Sequence, residues 1–330
     1  MILVTGATGL VGSHLLLKLT EGKQTVRAIY RSTDRIKKVE ELFAFAKAQS
    51  RFSKIEWVQA DITDVPQLTT AFQDIETVYH CAALISFDPY DFNRLIKINV
   101  EGTANVVNLC LAHNVTKLCH LSSIASLGKL PNTPIDEENV WDPNADNSVY
   151  AISKYGAETE VWRASQEGLD VFILNPGVIL GEGTLDEGSS KLFKQVLKGK
   201  SYYPTGGTAF IDVKDLVKLM IEGMGSTIKN ERFVATGYNH TFQHVLTEIT
   251  KGFSKKAPSK KISRKQLLFI ASLDKLSGFF TRKRQLPLTA VNSISYTQTF
   301  SNQKIKDTLN YSPTPFENTI ERITSYHKKS

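Results

Sequence analysis

Ile2-Leu-Val-Thr-Gly6-Ala-Thr-Gly9-Leu-Val-Gly12 decides the fold of this chain. A short apolar run enters three glycines at three-residue intervals, and an apolar helical pattern follows. Glycine at such positions permits a tight turn, close approach of backbone to a pyrophosphate and close packing of helix on strand, while the helix start offers free N–H donors to phosphate. A glycine triplet alone also suits a plain strand-to-helix turn. The strand before it and the helix after it supply the context of a dinucleotide site, so Gly6, Thr8, Gly9, Leu10, Val11 and Gly12 are expected to bind one.

Outward from that turn, β-branched runs at 2–5, 25–31, 55–59, 77–81, 117–122 and 171–175 alternate with helical patterns at 10–20, 35–48, 66–71, 91–113 and 150–167. Alternation of this kind builds βαβ units, and nearly continuous apolar strands belong to a parallel sheet covered on both faces. The expected fold class is α/β: a doubly wound parallel sheet with right-handed crossovers and ligands at the C-terminal strand ends. Beyond Gly177 the alternation fails. A helix is expected at 191–198, a return to the sheet at 210–213, a helix at 215–224, a strand at 232–236 and a mostly helical remainder from Asn239. This divides the chain into a dinucleotide-binding domain, residues 1–178 with 208–236 returning to it, and a smaller substrate lobe, residues 179–207 and 237–330.

Other strand ends carry candidate ligands. Arg31, ending the second strand where a carboxylate would serve the ribose 2′-hydroxyl of NAD, suits a 2′-phosphate, so NADP(H) is favoured over NAD(H); the alternative is a solvated arginine. Asp61, followed by Ile62, either accepts from the adenine amino group or caps the next short helix. Small residues in His80-Cys81-Ala82-Ala83 allow the cofactor to lie close. Ser122 and Ser123 end the fifth strand, and Ser123 is preferred as the hydroxyl that orients a substrate oxygen because Ser122 is still in strand register. In Tyr150-Ala-Ile-Ser-Lys154 the tyrosine and lysine share a helical face, so the ammonium is expected to lower the phenol pKa toward the working pH for proton exchange.

Composition bounds the rest. The 330 residues are 41% hydrophobic and 22% charged, which suits an ordinary globular chain able to bury a large core. No apolar run is long enough for a membrane span, and Met1 leads directly into the glycine turn without a basic n-region, so a cytoplasmic location is expected. Cys81, Cys110 and Cys119 lack CxxC spacing and read as buried free thiols; the histidines lack metal-site spacing, so no metal is assigned. Net charge is +7, yet residues 251–285 hold eleven Lys or Arg against one acid, Asp274.

The motifs GATGLVG, HCAA at 80–83, NVEGT from Asn99, the serine pair before Gly128, YAISK, Asn175-Pro176-Gly177 and FIDVKD from Phe210 occur in the order of a known family. The chain resembles an extended short-chain dehydrogenase/reductase of the NAD-dependent epimerase/dehydratase superfamily, over about residues 1–236. That resemblance implies catalysis by Ser123, Tyr150 and Lys154, with Tyr150 exchanging a proton with a substrate oxygen and Lys154 also binding the nicotinamide ribose. It further implies cofactor contacts at Cys81, Ala82, Ala83, Ser122, Asn175, Pro176, Gly177 and Val178. Thr208 stands where sugar-nucleotide epimerases carry a diphosphate-clamping arginine, and Asn175 replaces the arginine common before the Pro-Gly turn. Ile85-Ser-Phe-Asp-Pro89, Phe300-Ser-Asn-Gln-Lys-Ile-Lys306 and Tyr311-Ser-Pro-Thr-Pro315 are more similar to the branch of dihydroflavonol 4-reductase and 3β-hydroxysteroid dehydrogenase.

The expected activity is therefore NAD(P)-dependent hydride transfer to or from a carbonyl or secondary alcohol of a small apolar molecule. A nucleotide-sugar epimerase or dehydratase is the alternative, and a non-catalytic cofactor sensor would be expected to lack the tyrosine or lysine. Phe269, Leu273, Leu276 and Phe280 form one helical stripe flanked by basic residues. It reads either as a lid packed on the substrate pocket or as a peripheral membrane contact through residues 255–284. The basic segment has no nucleic-acid module, so no nucleic acid is expected. Relatives often form homodimers through the helices matching 91–113 and 150–167, and the resemblance makes that pairing available here.

Overall fold

Strong β-formers at the chain start make β1 (Ile2–Thr5), and the later apolar runs make β2 (Val26–Tyr30), β3 (Ile55–Gln59), β4 (Thr77–His80), β5 (Lys117–Leu121) and β6 (Asp170–Pro176). The computed structural model describes residues 1–128 and 134–329. Six further strands follow: β7 (Val178–Leu180), β8 (Tyr202–Pro204), β9 (Gly207–Asp212), β10 (Glu231–Ala235), β11 (Tyr238–Thr241) and β12 (Lys260–Ile262). Seven of these form one parallel sheet in the order β10-β6-β5-β4-β1-β2-β3. Strand order reverses at β1, which pairs with both β2 and β4, and a doubly wound sheet binds ligands in the crevice at that reversal.

Period-two alternation sends neighbouring side chains into opposite layers. Val4, Phe172 and Leu174 join Leu15, Leu16 and Leu216 on one face, whereas Leu3 and Ile173 join Val107, Leu118 and Val161 on the other. Both faces are dry, which is why the strands read as continuous apolar runs.

Several elements differ from the sequence expectation. The single helix expected over 91–113 is built as Phe92–Leu95, a π-helical turn Ile96–Glu101 and Gly102–Ala112. Thr103 Oγ1 donates to the Asn99 carbonyl at 2.5 Å, competing with the backbone ladder. The 35–48 helix ends at Phe45, shortly before Lys47 with its left-handed φ of 55°.

The 208–236 stretch divides. β10 becomes the edge of the large sheet beside β6, but β9 pairs with β7 and β11 in a separate three-stranded sheet. The region after Asn239 is not wholly helical either, because β11 continues to Thr241 and β12 pairs with β8.

The Phe316–Lys329 helix is fastened to this small-sheet region. Arg322 reaches Asp212 with Nη2 at 2.5 and 2.6 Å and pairs with Glu182 through Nη1. Glu182 in turn meets His14 Nε2 of the first helix at 3.3 Å. Burial pushes the Glu182 carboxyl up, but the His14 hydrogen bond and the Arg322 charge hold it well below the usual carboxylate range.

Candidate active site

Every parallel strand ends at the same sheet edge, so residues far apart in sequence meet there. At β1, Gly6 has φ +64°, and a Cβ on it would lie 2.6 Å from the Ala82 nitrogen beyond β4. A Cβ on Gly12 would lie 2.3 Å from the Gly6 carbonyl oxygen. These two glycines are thus required by close backbone approach. Gly9 caps the Leu10–Leu19 helix without any side-chain hydrogen bond, leaving its first-turn N–H groups directed at the crevice. Thr8 is part-exposed beside this turn. The residues suit a dinucleotide, whose pyrophosphate would lie on Gly9, Leu10 and Val11.

Arg31 and Asp61 mark the neighbouring strand ends. Their nearest charged atoms are 3.8 Å apart, and the Arg31 side chain is 61% exposed. Asp61 does not cap the following helix. Its Oδ1 accepts from Thr63 N and Oγ1 at 2.9 and 2.8 Å, while Asp64 makes the cap by accepting from Gln67 N. Ile62 is buried, and its carbonyl accepts from Asn105 Nδ2 at 2.9 Å.

Beneath β4 and β5 lies a buried polar layer. His80 Nδ1 bonds Thr5 Oγ1 at 2.7 Å and Nε2 bonds Thr103 Oγ1 at 2.9 Å. Burial, aided by the Lys154 charge, pushes His80 down to about 3 and His120 well below its ordinary value, so both rings are neutral. The rings stack at 5.3 Å, and neither nitrogen of His120 has a hydrogen-bond partner among the described residues. Cys81 is only part-buried as a residue, unlike Cys110 and Cys119, yet burial of its thiol raises it to about 12 and removes thiolate chemistry at neutral pH. Ala82 and Ala83 follow it along the crevice, Ala83 exposed.

The Val149–Gln166 helix starts where Ser148 Oγ accepts from Ala151 N at 3.1 Å, which puts Tyr150 in its first turn. Tyr150, Lys154 and Glu158 then follow at one-turn intervals on the face turned to the sheet edge. The Tyr150 hydroxyl, the buried end of a part-exposed residue, lies beside Ser123. Phe87 packs edge-on against its ring at 5.4 Å. Burial pushes the phenol up to about 12, with the Ser123 hydroxyl pulling the other way.

Lys154 is 2% exposed, and its Nζ donates to the Leu121 carbonyl at 2.9 Å. Burial lowers it to about 8 against the opposing charge of Glu158. The expectation that its ammonium lowers the Tyr150 pKa is not met: the shared helical face brings the residues near, but Lys154 is engaged by the end of β5 and burial dominates the phenol.

Ser122 and Ser123 diverge at the end of β5. Ser123 is extended, and its Oγ accepts from Ala125 N at 3.1 Å while facing Tyr150. Ser122 Oγ turns inward and donates to Glu158 Oε2 at 2.5 Å. Asn175, fully buried, also faces inward: its Nδ2 lies 2.8 Å from Glu158 Oε2 and 2.9 Å from Ser126 Oγ. Both side chains thus meet at Glu158, while Asn175 Oδ1 has no hydrogen-bond partner among the described residues. Pro176 closes β6, Gly177 N donates to the Ala235 carbonyl at 3.2 Å, and Val178 is part-exposed at the start of β7.

Sequence reasoning missed Glu158, which also accepts from Arg232 Nη1 at 3.2 Å and Trp162 Nε1 at 3.4 Å. Its position one further turn along the Tyr150–Lys154 face was the available signal. Asn99 was quoted only within a motif. Its side chain binds Leu84 N at 2.7 Å, Leu84 O at 3.0 Å and Ser153 Oγ at 2.9 Å, fixing the crevice wall after β4. Thr208 lies part-exposed on β9 opposite His240. Among the described residues no group of three or more His, Cys, Asp or Glu is placed to hold a metal ion.

A glycine turn at the sheet's reversal, with Ser123 beyond β5 and Tyr150 and Lys154 on the helix that faces it, defines a nucleotide-dependent oxidoreductase or epimerase of the extended short-chain type. Residues 2–234 match the NAD dependent epimerase/dehydratase family, and the chain belongs to it. It is 27% identical to sterol demethylase protein B of Methylococcus capsulatus, covering 74% of this chain and 72% of that protein. It is 26% identical to a putative dihydroflavonol 4-reductase of Synechocystis, covering 78% and 74%. The fold matches UDP-glucuronic acid 4-epimerase from Bacillus cereus, solved with UDP-glucuronic acid and NAD, at a TM-score of 0.78 and 20% identity, covering 99% of both chains.

Proposed function

We propose that this protein is an NADP(H)-preferring reductase that converts a carbonyl on a small apolar molecule to an alcohol, with Tyr150 as proton donor. The observation that carries this reading is the placement of the Tyr150 hydroxyl beside Ser123 at the glycine-lined crevice. A nicotinamide bound in the crevice would supply the hydride for the carbonyl carbon. Ser123 holds the carbonyl oxygen and Tyr150 gives it the phenolic proton. Because burial keeps the phenol protonated at neutral pH, the resting side chain is an acid ready for reduction. Lys154, charged below about pH 8, holds the nicotinamide ribose from the end of β5.

Arg31 supports the cofactor preference. It stands exposed at the end of β2, with a guanidinium suited to a 2′-phosphate. Phe87 against Tyr150, together with exposed Ile85, supports an apolar substrate. Thr208 lends no cation for a diphosphate.

The test is titration of NADPH and NADH, followed by NADPH oxidation with apolar ketones and aldehydes, on wild type and Tyr150→Phe. Tighter NADPH binding with turnover abolished in the variant supports the reading. Tighter NADH binding without net oxidation, together with interconversion of nucleotide sugars, overturns it in favour of an epimerase.

A further inference from the structure

The Arg264–Thr281 helix points its apolar stripe away from the protein. Its inner face packs Leu267 and Ala271 against Val291, with Gly278 also buried. The opposite face presents Phe269 at 66% exposure, Leu273 at 52%, Leu276 at 66% and Phe280 at 83%, with Phe279 beside them at 78%. A lid resting on a pocket would bury this stripe, and an ordinary surface helix would be polar there.

Charge surrounds the stripe with one sign. Lys265, Lys275, Arg282 and Lys283 are exposed around it, and Lys255, Lys256, Lys260 and Lys261 extend the basic surface before the helix. Asp274, the sole acid of residues 251–285, turns inward to Arg284 Nε at 3.2 Å and the backbone nitrogens of Gln285 and Leu286 at 2.9 and 3.2 Å.

We propose that this face docks on an anionic lipid bilayer, with the phenylalanines entering the boundary between headgroups and acyl chains and the lysines meeting the headgroups. A second copy placed across a two-fold axis would bring this basic rim against itself. An anionic bilayer offers both the apolar layer and the opposite charge. No helix among the described residues is long and apolar enough to cross a membrane, so the contact is one of lying on the surface.

Docking also orients the crevice. Arg284 N, just beyond the helix, donates to Asp88 Oδ2 at 2.9 Å, and the adjacent Phe87 packs on Tyr150. Ile85 and Tyr90 continue the exposed apolar surface at 59% and 54%. The mouth of the site therefore lies beside the bound face, and the substrate class becomes carbonyl compounds dissolved in lipid. That last step rests on the reductase reading, whereas the docking does not.

The test is co-sedimentation with vesicles of phosphatidylcholine alone and with about 30% phosphatidylglycerol, at about 0.1 and about 0.5 M salt. The variants are Phe269→Ser/Leu276→Ser/Phe280→Ser and Lys265→Glu/Lys275→Glu/Lys283→Glu, with folding checked by circular dichroism. Wild type should bind the anionic vesicles, and either variant or the higher salt should lower partitioning by roughly tenfold or more. Tyr150→Phe should bind like wild type whatever the reaction proves to be. Failure to bind, equal binding to both vesicle types, or full binding by the serine variant would overturn the proposal. So would a dimer in sedimentation velocity that the serine variant dissolves, which would assign the face to a second copy.

Discussion

Asn175 Nδ2 donates to Glu158 Oε2 across 2.8 Å, joining β6 to the helix that carries Tyr150 and Lys154. The same carboxylate holds Ser122 and Ser126 from the strand end bearing Ser123, and Arg232 from β10. Glu158 thereby positions the site without reaching its open side, since it is itself 2% exposed. Glu158→Gln keeps the shape but removes the charge opposite Arg232, whose side chain is 23% exposed. Urea unfolding should show a loss of about 3 kcal/mol, the lower end for breaking a buried pair because Arg232 keeps some water. In the fraction that folds, kcat should fall more than cofactor affinity.

Tyr150→Phe removes the proposed acid and leaves the ring packed on Phe87. Turnover should fall by roughly 10²–10⁴-fold with cofactor binding retained, measured by single-turnover kinetics and fluorescence titration. Ser123→Ala should cost roughly 10²-fold, because the substrate oxygen loses one donor.

Lys154 gives opposite pH trends for activity and stability. Its ammonium is lost as pH rises through about 8, so kcat/KM for the cofactor should fall above that point. Between pH 8 and the ordinary lysine value near 10.5 the unfolded chain binds the extra proton, so this group makes stability rise with pH across that window. The burial penalty is complete below pH 8 and relieved above 10.5, a change on the order of 3 kcal/mol. Comparing the pH dependence of unfolding for wild type and Lys154→Met isolates the slope, which the variant should lack.

Arg31→Ala should weaken NADPH binding by roughly tenfold to a hundredfold and leave NADH binding nearly unchanged, if the proposed charge-assisted bond to the 2′-phosphate is what it removes. Parallel calorimetric titrations with both nucleotides check this. Equal losses for both would assign Arg31 to general electrostatics.

The large sheet was legible because strands covered on both faces cannot hide their apolar runs, as Leu3 and Val4 show by entering opposite layers. Gly6 and Gly12 were legible because their backbones approach others too closely for a side chain. Glu158 was not, since an acid on a helix usually faces water and its partners Asn175 and Arg232 lie on other elements. Helical spacing placed Lys154 near Tyr150 but could not reveal the Leu121 carbonyl that engages it. The pairing of β9 with β7 and β11 was hidden because β7 is only three residues long and the apolar run in β9 reads equally well as a strand of the large sheet. Spacing likewise found the Phe269–Phe280 stripe without showing which way it faced.

Arg322 imposes an order on biosynthesis. Asp212 and Glu182 leave the ribosome 110 and 140 residues ahead of the cation that joins them. The crevice-bearing sheet therefore has its strands through β10 before the clasp on the first helix can close. Until Arg322 is made, Asp212 and Glu182 lack the cation that joins them, and a chain stopped before it would lack this clasp beside His14.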